Sequence, residues 1–79
     1  MDIKYSPHAV DRMMERQIST TEVEDLLVRP DGVIRQSRDK VIVHKKMKGR
    51  KDNSIAVVAV EKGSVYDVVT VMVNFEVGK

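Results

Sequence analysis

The chain has 79 residues, no Cys, 42% hydrophobic residues and a net charge of +2. This predicts one domain, residues 1–79, with a small core, because a chain of this size buries only about 60% of its unfolded surface. With no Cys and no His/Cys cluster at metal spacing, neither disulfides nor a structural zinc site supports the fold, and no apolar run approaches the ~20 residues of a membrane span.

Residues 2–5 alternate and read as a short edge strand or an extended lead-in. They lack the basic start and apolar run of a secretory leader, so the expected setting is cytoplasmic, away from any membrane. Ser6 then offers an N-cap oxygen, and Pro7 suits the first helical position, where no amide donor is needed. The first helix is predicted from residue 7 to 16 or 17. At about 100° per residue, Ala9, Val10, Met13 and Met14 share one face and are expected in the core. His8, Asp11, Arg12, Glu15 and Arg16 share the other. Ser19 and Glu22 form a capping box, with Ile18 and Val23 placed as its hydrophobic staple. A second helix is predicted over residues 20–28, with Val23, Leu26 and Leu27 as its apolar stripe. Pro30-Asp31-Gly32 ends it.

The period then changes to alternation. Residues 33–36 read as a short strand. Over residues 40–46, Val41, Val43 and Lys45 alternate with Ile42, His44 and Lys46. Residues 49–53 are a polar loop, residues 55–60 a β-branched strand, and residues 61–64 a hairpin turn in which Gly63 can take positive φ. A long strand is predicted over residues 65–77, with Val65, Asp67, Val69, Val71, Val73 and Phe75 on one face. Tyr66, Val68, Thr70, Met72, Asn74 and Glu76 fall on the other, a mixed face suited to an open concave surface. Helices grouped before strands predict an α+β fold, with two N-terminal helices packed on one face of a three- to four-stranded antiparallel sheet.

Charge is unevenly spread. Residues 1–34 sum to −3, residues 35–51 to +7 and residues 52–79 to −2. The positive stretch would attract polyanions through salt-sensitive contacts to phosphate. It also suits a solubilising edge strand, because Lys protects exposed edges from pairing. Within it, His44, Lys45, Lys46 and Arg50 are the candidate RNA-binding residues. With one Phe and two Tyr, platforms for base stacking are few.

His8, Arg12 and Arg16 stand at i, i+4 spacing along one line of the first helix. A neutral imidazole beside two fixed positive charges could act as a general base, and guanidinium groups grip phosphate oxygens in pairs. The same residues also make an ordinary solvated face, with Arg12 and Glu15 paired across one turn. Two histidines in a small basic protein suit the acid/base pair of a metal-free ribonuclease. Such an enzyme needs a base for the 2′-hydroxyl, an acid for the 5′-oxygen and cations for the phosphorane. A surface position for His44 is the plainer alternative. Thr70 points away from the Val69/Val71 face, although threonine also favours strands by propensity alone.

His8-Ala9, Arg12-Met13, Glu15-Arg16, Ile18-Ser19, Glu22-Val23 and Pro30-Asp31 together resemble a family of small bacterial and archaeal proteins of uncharacterised function. Its members end in a strand like Val68-Val69-Thr70-Val71. The family is similar to the barnase–EndoU–colicin–RelE (BECR) group, in which N-terminal helices pack on an antiparallel sheet and many members are metal-independent ribonucleases. The resemblance implies a catalytic site at His8, Arg12, Arg16 and Thr70. Gln17 stands where Gly is common, which would lengthen the helix, and Met72 stands where an aromatic is common.

The expected function is a metal-independent endoribonuclease of toxin–antitoxin type, acting on RNA by acid/base transphosphorylation. It would use no cofactor and would pair with a small acidic antitoxin protein. The alternative is a non-catalytic RNA- or protein-binding module using residues 35–51. A third possibility is a domain whose polar helix face only stabilises its first turn.

Overall fold

The computed structural model describes residues 2–47 and 54–75. The elements run β1 (Asp2–Tyr5), α1 (Pro7–Arg16), α2 (Thr20–Val28), β2 (Gly32–Arg35), β3 (Lys40–Lys46), β4 (Ser54–Lys62) and β5 (Val65–Val73). The α+β class is as expected. The sheet has five strands in the order β1-β5-β4-β3-β2 rather than three or four. The additional strand is β1, which runs parallel to β5 from Asp2 opposite Val65 to Tyr5 opposite Val68. The other neighbours are antiparallel. A parallel neighbour needs a long crossover, and here everything from α1 to β4 lies between the two strands.

Helix bounds follow from capping. The Ser6 hydroxyl accepts the Ala9 amide at 3.0 Å, with Pro7 in the first turn. Gln17 does not extend α1. It takes φ 56° and ψ 47°, the left-handed C-terminal position where glycine is cheapest, and the Ile18 amide closes the end by donating to Met13 O at 2.8 Å. At the start of α2, the Ser19 amide donates to Glu22 Oε1 at 2.9 Å and the Glu22 amide to Ser19 Oγ at 3.1 Å. This is the predicted reciprocal box.

Both helices cover the same side of the sheet, α1 against β5 and α2 against β3. The core joins Ala9 and Met13 of α1, Ile18, and Val23, Leu26 and Leu27 of α2 to Val41, Val43, Ile55, Val57, Ala59, Val68 and Val71 of the sheet. Burying each large aliphatic side chain stabilises the fold by about 1.5–3 kcal/mol. Val10 and Met14, expected in the core, are 42% and 74% exposed. Only Ala9 and Met13 of α1 are buried against the sheet, and Val10 and Met14 border an open depression shared with Tyr5, Gln17 and Ile18.

The faces of β5 also differ from simple alternation. Val58 stands opposite Thr70 and Ala59 opposite Val68, so Val69 has no partner. This β-bulge shifts the side-chain phase by one. Before it, Tyr66 and Val68 face the helices. After it, Val71 and Val73 do, leaving Thr70 and Met72 on the uncovered face. Tyr66 and Thr70, which alternation predicts on one face, therefore lie on opposite faces. Tyr66 packs against the core and donates from its hydroxyl to Glu61 Oε2 at 3.4 Å. β5 ends at Val73, so Asn74 and Phe75, predicted in the strand, fall outside it, because Asn74 takes φ 55°. Residues 76–77 of that prediction and the predicted loop 49–53 lie outside the described residues.

Candidate functional site

β1 pairs with β5 only as far as Val68. Beyond that point α1 takes its place along the strand. The Ser6 amide donates to Val68 O at 3.0 Å, and the Ser6 hydroxyl donates to Val69 O at 2.9 Å. The helix therefore begins at the bulge and runs beside the following residues of β5. Between them lies an open cleft of about 440 Å³, lined by His8, Arg12 and Arg16 from the helix and Thr70, Val71, Met72 and Val73 from the strand.

The cleft thus gathers His8, Arg12, Arg16 and Thr70. His8 and Arg16 are exposed, and Arg12 and Thr70 half-buried. Arg12 Nη1 lies 3.2 Å from Glu15 Oε2, the pairing expected of a solvated face. Its other guanidinium nitrogen leaves donor capacity for a ligand, since the group carries five N–H donors. Glu15 itself lines a second depression of about 480 Å³ on the far side of Arg12, with His8, Asp11 and Met14. His8 and Arg12 form the ridge between the two. An imidazole and two guanidinium groups facing a hydroxyl across one cleft can bind an anion, orient its oxygens and exchange one proton with it.

The described part of the basic segment, residues 35–47, is not continuous with this cleft, because β4 separates β3 from β5. His44 stands on the uncovered face, opposite Ala56 and Gly32, and is not part of the cleft wall. Lys45 points to the helix side. Its Nζ lies 3.2 Å from Asp25 Oδ2 and donates to Arg29 O at 2.8 Å. A cation there satisfies a carbonyl at the C-terminus of α2 and suits its dipole. Lys46 is exposed, with its amide donating to Asp31 Oδ2 at 2.9 Å. Arg35 holds the β2–β3 connection through Arg38 O at 2.9 Å and pairs with Glu61 at 2.8 Å. Part of the positive stretch is therefore structural. Arg50 lies outside the described residues.

Sequence reading identified Ser6 as a cap but not as the tie to β5, and it did not bring Val73 to the cleft. Both depend on the bulge, which has no local signature in a run of β-branched residues. Among the described residues, no group of three or more His, Cys, Asp or Glu side chains could hold a metal ion. Among them also, no helix is long and apolar enough to cross a membrane.

A family model described as Domain of unknown function (DUF4258) matches residues 5–73. No curated protein matches the chain, and no solved structure matches it. The matched span includes the whole of α1 and ends at the last residue of β5, so it contains every residue of the cleft wall.

Proposed function

We propose that this chain, which belongs to the DUF4258 family over residues 5–73, is a metal-independent endoribonuclease of toxin type that acts in the cytoplasm and has a small acidic antitoxin protein as partner. The observation that carries the reading is the cleft that His8, Arg12 and Arg16 line from the helix and Thr70 from the strand. The likeness of the uncharacterised family that the N-terminal motif resembles to the BECR group adds to it, as an analogy between folds.

In the proposed reaction, the scissile phosphate sits against Arg12 and Arg16, and Thr70 orients a ribose or phosphate oxygen. His8 serves at least one of the two proton transfers. Taking the proton from the 2′-hydroxyl lets that oxygen attack phosphorus, and the P–O5′ bond breaks. The 5′-oxygen leaves with a proton returned by the His8 imidazolium or supplied by water, and the other product is a 2′,3′-cyclic phosphate. The arginines offset the charge that builds on the equatorial oxygens, where fixed donors contribute most.

A second reading is favoured by one specific feature. Among the described residues, the cleft is lined by a single imidazole and no carboxylate, and His44 is two strands away. This suits a module that binds RNA without cutting it. Incubating RNA in EDTA with the wild type and with His8→Ala, Arg12→Ala and Arg16→Ala separates the two. Cleavage that ends in 2′,3′-cyclic phosphate and is lost in the three variants supports the enzyme. Salt-sensitive binding without cleavage, unchanged by His8→Ala, supports the module.

A further inference from the structure

The uncovered face of the sheet brings together two rings that are distant in sequence. His44 on β3 and Phe75, just past β5, have ring centroids 5.5 Å apart at an interplanar angle of 35°. Phe75 is set in place by the left-handed turn at Asn74, φ 55°, and by its amide, which donates to Ser54 O at 2.9 Å. On its other side His44 adjoins Gly32, its register partner on β2. A Cβ at Gly32 would collide with the imidazole. The imidazole is therefore seated between bare backbone and a phenyl ring, and both rings remain half-buried.

This pair is connected to the cleft by the strand register. His44 stands opposite Ala56, and Ala56 opposite Met72, which lines the cleft wall. Two strand spacings, about 9.6 Å, separate His44 from Met72. The small Ala56 side chain between them leaves the path low. The next row, Ile34, Ile42, Val58 and Thr70, is apolar until it reaches the cleft.

We propose that His44 and Phe75 form a stacking platform for a nucleobase of the same RNA strand whose phosphate occupies the His8–Arg12–Arg16 cleft. The proposal rests on the RNA reading above and extends it from the phosphate to a base. Single-stranded RNA is commonly held by splaying bases onto ring side chains of an open sheet face, and stacking tolerates any base because each has a π-face. An apolar peptide could also cover these rings. The cation-lined cleft at the end of the same row favours a ligand that carries both phosphates and flat rings.

The test uses short 2′-O-methyl oligonucleotides, which lack the attacking hydroxyl and stay intact, with 2-aminopurine at successive positions. The chain has no Trp, so fluorescence excited in the 2-aminopurine band reports the probe alone. The wild type is expected to quench one position on binding. It should bind an oligonucleotide made abasic there about ten-fold more weakly, the size of one lost stack. Phe75→Ala should abolish the quench and bind both oligonucleotides equally, and Phe75→Tyr should restore discrimination. Gly32→Ala, which unseats the imidazole, should weaken binding in the same direction. Equal wild-type affinity for the intact and abasic oligonucleotides at every position overturns the platform without reference to any variant. If RNA is cut while Phe75→Ala leaves KM and kcat unchanged, the platform falls and the ribonuclease stands. If RNA is bound and quenched but never cut, the platform stands and the ribonuclease falls. If no oligonucleotide binds, both fall, and an apolar protein ligand becomes the better occupant of this face.

Discussion

Ser6 Oγ donates to the carbonyl of Val69 across 2.9 Å. The same oxygen accepts the amide of Ala9 at 3.0 Å. One hydroxyl thus caps a helix and holds that helix to the bulge, and the bulge turns Thr70 onto the face that borders the cleft.

Ser6→Ala is therefore expected to cost about 1–2 kcal/mol, more than a cap alone in a peptide. Ser6→Asp should recover only part of this, because a carboxylate can cap α1 but cannot donate to Val69 O. Urea denaturation of the three proteins measures both differences. A loss under 0.5 kcal/mol for the alanine variant would show that the tie to β5 contributes little.

Arg12 and Glu15 form an exposed i,i+3 pair, with side chains 40% and 60% accessible. Such pairs contribute little to stability. Arg12→Ala should leave the folded state within about 0.5 kcal/mol of wild type while weakening RNA binding and cleavage. Arg16→Ala should likewise lower the dependence of RNA affinity on salt by about 0.7 in log–log slope, one phosphate contact fewer. Thermal melts and salt titrations read the two effects separately. A large drop in melting temperature with unchanged RNA affinity would return this helix face to a structural role.

Lys45 gives the opposite pattern. Its ammonium is engaged with Asp25 and the Arg29 carbonyl, so Lys45→Met should cost about 1 kcal/mol of stability and leave RNA affinity nearly unchanged. Denaturation and RNA titration of the same variant test this. RNA affinity lost in step with one phosphate contact would mean that Lys45 leaves α2 to track the backbone.

Tyr5 and Tyr66 predict the alkaline behaviour. Burial pushes both phenols above their ordinary value, and the nearby Glu24 and Glu61 carboxylates push in the same direction. The folded state thus holds these protons more tightly than the unfolded state. Their contribution to stability is fully present below about pH 10 and is lost as pH rises through the higher folded values. The Tyr5 hydroxyl is buried with no hydrogen-bond partner among the described residues. Tyr5→Phe should therefore stabilise the protein by about 1 kcal/mol at neutral pH and blunt the alkaline loss. Stability measured from pH 7 to 11 checks both.

Much of this fold is legible in short stretches of chain. Ser6-Pro7 and Ser19–Glu22 set helix starts through side-chain oxygens and amides only three residues apart, and such bonds form wherever the local sequence occurs. Alternation marked β3 correctly for the same local reason. The line His8, Arg12, Arg16 was legible as a line, because i,i+4 spacing fixes it on any helix.

What the line faces was not legible. Its partner wall, Thr70 to Val73, lies more than fifty residues further on. Thr70 reaches that wall only because Val69 is left unpaired between Val58 and Ala59 of the neighbouring strand. The same phase shift sent Tyr66 to the helix side, and the separation of β3 from β5 kept His44 and Lys45 out of the cleft. The amino-acid sequence by itself determined the two helices with their caps, the strand segments β2 to β5 and the cationic line on α1, because these depend on groups within about a helical turn. Only the tertiary structure decided which residues form the cleft and which rings meet on the open face, because strand order and a one-residue register shift are settled by packing between distant segments.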